Sequence, residues 1–179
     1  MNELINKAKL VAHTAHEAVG QVRKYTGEPY WVHTDAVART VAAFGGSVAQ
    51  QQAAHLHDTL EDTKLSFGLI EAEFGTEVAI LVHELTDLFT SENYPKQNRE
   101  WRKAQEAARI ATISDDAKLI KLADLYDNTF SIVAHDEGFA ITYLKEKARV
   151  IKGLNINNPL FAVVSEQLKN NLDKLAVVV

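Results

Sequence analysis

His57 and Asp58 stand side by side in the run HDTLEDT, and Glu61 and Asp62 follow one helical turn later. Four ionisable residues so close together are costly to fold unless something holds them. An adjacent imidazole and carboxylate can both reach one divalent cation, and the turn spacing brings the second acidic pair near it. His33 in PYWVH and Asp124 in KLADLYDN complete a donor set. His33, His57, Asp58 and Asp124 offer two neutral nitrogens and two ionised oxygens, leaving open positions for water and a phosphate oxygen. The chemistry this predicts is hydrolysis of a phosphate ester, with Glu61 and Asp62 free either to support the ligands from behind or for acid–base work.

A solvated helix end is the competing account of a lone His-Asp pair. Here the pair is flanked by Ala53, Ala54, Leu56 and Leu60, and Asp124 sits among Leu119, Ile120, Leu122, Ala123 and Leu125. Acids in apolar frames need partners, so a shared cation is the economical explanation. His13, His16, His55, His83 and His135 lack a second ligand at a useful spacing and read as surface or packing residues. His16 is set apart because it ends the helix leading into Gly20–Pro29.

The elements that must carry these residues are helices, since no stretch alternates as a strand does. Leu4, Ala8, Val11, Ala15 and Val19 line one face of a first helix. Gly20, Gly27 and Pro29 mark an irregular segment before a second helix that begins near Trp31 and ends at Gly45-Gly46. Ser47 with Gln50 predicts a capping box opening a third helix, which carries His57 to Glu61. Ser66, Thr76 and Ser114 are further N-cap candidates, and Pro95 and Pro159 suit the first turn of a helix. Gly20–Pro29 and Leu88–Tyr94 are the expected long loops. The fold class is all-α, with about eight or more helices in one compact bundle covering residues 1–179.

Composition narrows the function. A length of 179 residues suits one domain, and 46% hydrophobic content suits a globular core. Without cysteine, any metal is held by nitrogen and oxygen donors. The net charge of -5 argues against general nucleic-acid coating. The charged N-terminal stretch lacks the apolar run of a secretory signal, and no segment reaches the length of a membrane span. A cytoplasmic protein is the expectation. The apolar stripe Leu160, Phe161, Val164 and Leu168 could pack internally or pair chains, which leaves the oligomeric state open.

These segments, in this order, resemble the HD superfamily of metal-dependent phosphohydrolases. More narrowly, they are similar to the hydrolase domain of RelA/SpoT homologues in its stand-alone form, the small alarmone hydrolases. The resemblance rests on GQVRKYTGEPYWVH (20–33), HLHDTLEDT (55–63), KLIKLADLYDN (118–128) and YLKEKARVIKGL (143–154). It implies an HD-domain bundle in which His33, His57, Asp58 and Asp124 hold Mn²⁺, other divalent cations being acceptable to the same donors. It also implies that Glu61 and Asp62 serve the attacking water. The activity implied is removal of the 3′-pyrophosphate from (p)ppGpp.

A nucleotide with two phosphate arms needs cations. Arg23 and Lys24 stand just upstream of His33, and Lys96, Arg99, Arg102 and Lys103 fall on overlapping helical faces. A solvated face paired with Glu100 and Glu106 is the alternative for the latter group. The resemblance places Arg23 and Lys24 near base and sugar, Arg102 and Lys103 near the phosphates, and Tyr143 against the nucleotide. Asn128 lies four residues after Asp124 and shares its helix face. The chain departs from similar hydrolases at Thr34, Leu125 and Phe130, where they carry proline, a cation and arginine. The loss of two cations opens the choice between guanosine and adenosine alarmones, (p)ppGpp and (p)ppApp. Another phosphohydrolase acting on a 5′-nucleotide or phosphomonoester, or a nucleotide-binding sensor without turnover, would share parts of this pattern.

Overall fold

The computed structural model describes residues 3–177, apart from the side chains of Ser131, Glu137, Ala176 and Val177. Helices dominate, and among the described residues the only extended pairing is an isolated bridge between Val22 and Pro29. The first six helices are α1 (Glu3–Ala18), α2 (Trp31–Ala43), α3 (Val48–Leu56), α4 (Thr59–Asp62), α5 (Phe67–Phe74) and α6 (Thr76–Leu85). They form a compact unit that runs to Thr86. From Asp87 a second unit holds α7 (Arg99–Ile110), α8 (Asp115–His135), α9 (Glu137–Ile151) and α10 (Pro159–Val177). No helix among the described residues is long and apolar enough to cross a membrane.

In the first unit α3 is the central element, packed against α1, α2 and α6. Small side chains permit that approach: Ala8, Ala12, Ala53 and Ala54 are all fully buried. Ser47 and Gln50 form the predicted capping box, each side chain bonding the other's backbone N–H. Ser66 and Ser114 cap α5 and α8 as expected. Pro159 opens α10.

Three local expectations need correction. The helix predicted to run from His57 through Glu61 breaks: α3 ends at Leu56, and α4 is a separate single turn. Asp58, at the junction, has φ -97° and ψ -1°, and the Thr59 hydroxyl donates back to the Leu56 carbonyl at 2.7 Å. Thr76 is the first helical residue rather than a cap, because Gly75, at φ 89°, makes the turn and the Thr76 hydroxyl bonds Glu71 instead. Pro95 lies in the turn before α7, whose start is set by the Asn98 side chain accepting from Trp101 N–H. The stripe on α10 packs inward: Leu160, Val164 and Leu168 are buried, and α10 meets α8 and α9.

A buried ionic cluster ties α1, α2 and α3 together. Asp35 receives Lys9 Nζ at 2.7 Å and His13 Nε2 at 2.9 Å, and the His55 ring stands beside it, Nδ1 at 3.3 Å. Burial opposes the Asp35 charge, but Lys9 and His13 outweigh it and hold its carboxyl below the ordinary range. Burial pushes His55 the other way from a surface histidine, down to about 4, with Asp35 only partly opposing. Between about pH 6.5 and 4 the unfolded chain therefore binds a proton that the folded His55 refuses, so stability falls as pH falls. We expect a loss of about 2 kcal/mol from this residue between pH 7 and pH 5 in urea unfolding. A His55→Asn variant should show a visibly flatter slope over that interval; an identical slope would rule the assignment out.

Candidate metal centre and active site

His33 sits in the first turn of α2, and His57 and Asp58 occupy the break between α3 and α4. One donor atom from each lies within 4.8 Å of the other two. Consecutive residues on a helix point about 100° apart, yet the long imidazole and the carboxylate meet here, at the junction of the two helices. Asp58 Oδ2 stands 3.0 Å from His57 Nε2 and 3.8 Å from His33 Nε2. Both imidazoles are buried, whereas the Asp58 side chain is one-fifth exposed. The metal set thus opens to solvent on its carboxylate side.

The tautomer of His57 is legible. Its Nδ1 lies 2.9 Å from the Ala54 carbonyl, which can only accept, so Nδ1 carries the proton. Its Nε2 is left as a lone pair facing a carboxylate that already accepts the Tyr30 hydroxyl at 2.6 Å. Two acceptors 3.0 Å apart require a positive charge between them, either a second proton or a metal ion. A carbonyl behind the distal ring nitrogen is the usual support of a metal-binding histidine. The donor set therefore fits a divalent cation of borderline hardness.

Glu61 and Asp62 occupy the single turn of α4 and reach solvent. Burial at its base raises the Asp62 pKa, and Asp58 adds to that; the Gln21 amide, His16 and His57 pull it back. Arg23 and Lys24 lie on the 19–30 segment. The Arg23 backbone exchanges bonds with Glu28 and Gly27, and Lys24 Nζ lies over the Tyr25 ring at 4.8 Å.

The second unit carries the remaining candidates. Asp124 is buried on α8, with Lys121 Nζ 3.0 Å from Oδ2 and the Asn128 amide donating to Oδ1, as their four-residue spacing predicts. Lys103 pairs with Asp87 at 3.1 Å. Arg99 grips Glu146 through two bonds of 2.8 Å, and Arg102 donates to the Gln97 carbonyl. Lys96 is exposed in the turn before α7. Tyr143 carries Lys147 Nζ 5.0 Å from its ring centre.

The HD-domain family pattern matches residues 8–149, most of the chain. This protein belongs to the HD-domain family. The chain is 34% identical, over 93% of its length and 92% of the relative's, to the mouse (Mus musculus) guanosine-3′,5′-bis(diphosphate) 3′-pyrophosphohydrolase MESH1. The human (Homo sapiens) MESH1 is 36% identical over 74% of each chain. Among solved structures, the HD domain superposes on one described as a metazoan ortholog of SpoT that hydrolyzes ppGpp. That match has a TM-score of 0.78 at 27% identity and covers 98% of this chain and 94% of the other.

In each unit, residues beside the candidates escaped sequence reasoning. Tyr30, which orients Asp58, stands three residues before His33, a spacing that could have placed it on the same helical face. His16 and Gln21 bond each other and reach Asp62. In the second unit Lys121 and Lys147 join Lys103 around Asp87, lowering its pKa against the effect of burial. Burial and the neighbouring Lys121 push the half-buried Lys147 down to about 8. No periodicity distinguishes these lysines from surface ones, so burial was their only signal.

Proposed function

We propose that this HD domain, acting as one domain over residues 1–179, removes the 3′-pyrophosphate from guanosine alarmones, (p)ppGpp, to give pyrophosphate and GDP or GTP. The observation that carries this reading is the convergence of His33, His57 and Asp58 in a chain so similar to hydrolases named for that reaction. Asp124 is the proposed fourth ligand, and its Lys121 and Asn128 neighbours would hold it in one rotamer. Mn²⁺ is the proposed cation, on the strength of a mixed nitrogen and oxygen donor set.

When bound, the cation supplies Lewis-acid polarisation of a phosphoryl oxygen and a lowered water pKa. The chain's own residues do the rest. Glu61 and Asp62 orient the attacking water and take its proton. The water oxygen bonds to the phosphorus at the 3′ position, the bond to the 3′ oxygen breaks, and that oxygen is protonated as it leaves. Arg23, Lys24 and Tyr143 would hold the nucleoside, and Lys96, Arg99, Arg102 and Lys103 its phosphates. Arg99 must exchange its Glu146 partner for substrate to do so. Adenosine alarmones, (p)ppApp, are the second substrate class, favoured by Phe130, a 76% exposed ring where similar hydrolases carry arginine.

Chromatography of products from ppGpp and ppApp, with Mn²⁺, Mg²⁺ or chelator, tests the reading. Pyrophosphate release that depends on the metal is the expected result. Orthophosphate as product would point to a different phosphoesterase, and tight binding without turnover to a sensor.

A further inference from the structure

His16, near the C-terminal end of α1, is completely buried, and its Nδ1 lies 2.6 Å from Gln21 Oε1. The other end of the same amide donates from Nε2 to Asp62 Oδ2 at 2.8 Å. An ionised carboxylate only accepts, which fixes the amide with nitrogen toward Asp62 and oxygen toward His16. An amide oxygen also only accepts, so the imidazole proton is on Nδ1. Burial lowers the His16 pKa, the Gln21 bond and the acids Asp58 and Asp62 opposing it. The result is one directional chain of donors, His16 to Gln21 to Asp62.

The backbone of Gln21 is pinned on both sides. Its N–H donates to the His16 carbonyl at 3.1 Å, and its carbonyl accepts from Tyr30 N–H at 3.2 Å. The bridge between Val22 and Pro29 closes the segment behind it. Gln21 therefore projects from a fixed point, with both ends of its amide engaged. Asp62, by contrast, ends a four-residue helix whose start has no side-chain cap, and its carboxylate would otherwise rotate freely.

We propose that Gln21, locked by His16, is a positioning residue for Asp62: it occupies Oδ2 and presents Oδ1 to the attacking water. This rests on the reading of Asp62 as an acid–base residue. A bond that merely tied the loop to α4 would not need the imidazole behind it, since the backbone bonds already hold the loop. The His16 tautomer has a further cost, because Nε2 is buried with no hydrogen-bond partner among the described residues. A buried acceptor left unsatisfied is destabilising, so the Nδ1 bond is kept against a stability penalty.

The test is a mutant cycle on pyrophosphate release. Gln21→Met keeps the shape without the amide, and Gln21→Glu keeps an acceptor for His16 but loses the donor to Asp62. Each should lower kcat by about 10–100-fold, with KM within about threefold and an unchanged circular dichroism spectrum. In an Asp62→Asn background neither should lower kcat further. Losses that multiply in the double variant, or that appear mainly in KM, would overturn the proposal. Nitrogen-15 spectra of the wild-type protein should show His16 protonated at Nδ1, and Asp62→Asn should shift the Gln21 side-chain amide. An Nε2-protonated His16 or an unmoved amide would overturn the chain of bonds. This readout needs no turnover, so a wild-type protein that releases no pyrophosphate would sink the functional reading alone.

Discussion

Asp58→Ala should reduce pyrophosphate release from ppGpp by about 10⁴-fold, equivalent to roughly 5–6 kcal/mol of barrier. The reason is local. Asp58 Oδ2 faces both buried imidazoles, at 3.0 and 3.8 Å. Removing it takes away the carboxylate beside His33 and His57 and the oxygen to which the Tyr30 hydroxyl donates. The same variant should lose bound metal, measured by elemental analysis after dialysis against Mn²⁺. Because Asp58 lies outside the apolar core, helicity by circular dichroism should stay close to wild type. Full activity in Asp58→Ala would remove the basis of the metal centre.

Asp62→Asn should act differently, lowering kcat by about 10²–10³-fold while metal content and KM stay near wild type. An amide there can still orient water but cannot take its proton. Steady-state kinetics beside metal analysis separates this from a ligand defect. A variant that lost its metal as well would make Asp62 a ligand rather than an acid–base residue.

The dyad and the capping box were readable because each depends on side chains a few positions apart. Ser47 with Gln50 opens α3 as its spacing requires, and His57 and Asp58 share one locus with His33 as donor chemistry required. The break after Leu56 was not readable, since Thr59 and Leu60 are both compatible with a continuing helix. The Tyr30 bond to Asp58 and the Thr59 back-bond accompany that geometry, and both are tertiary or rotameric events. The cluster around Asp35 was missed for a similar reason. Lys9, His13, Asp35 and His55 come from three helices, at separations that no local pattern relates. His55, read only as a surface or packing residue, is buried beside Asp35, and the half-buried His13 bonds the same acid 22 residues away.

The interruption between α3 and α4 sets a rule for how this gene can drift. One residue added or deleted between Ser47 and Leu56 would rotate the dyad by about 100° around a rod clamped by three neighbours. Exchanges of one letter for another on its exposed positions leave that register intact, whereas indels do not. The 19–30 and 86–98 connections are where natural length variants of this chain should be found.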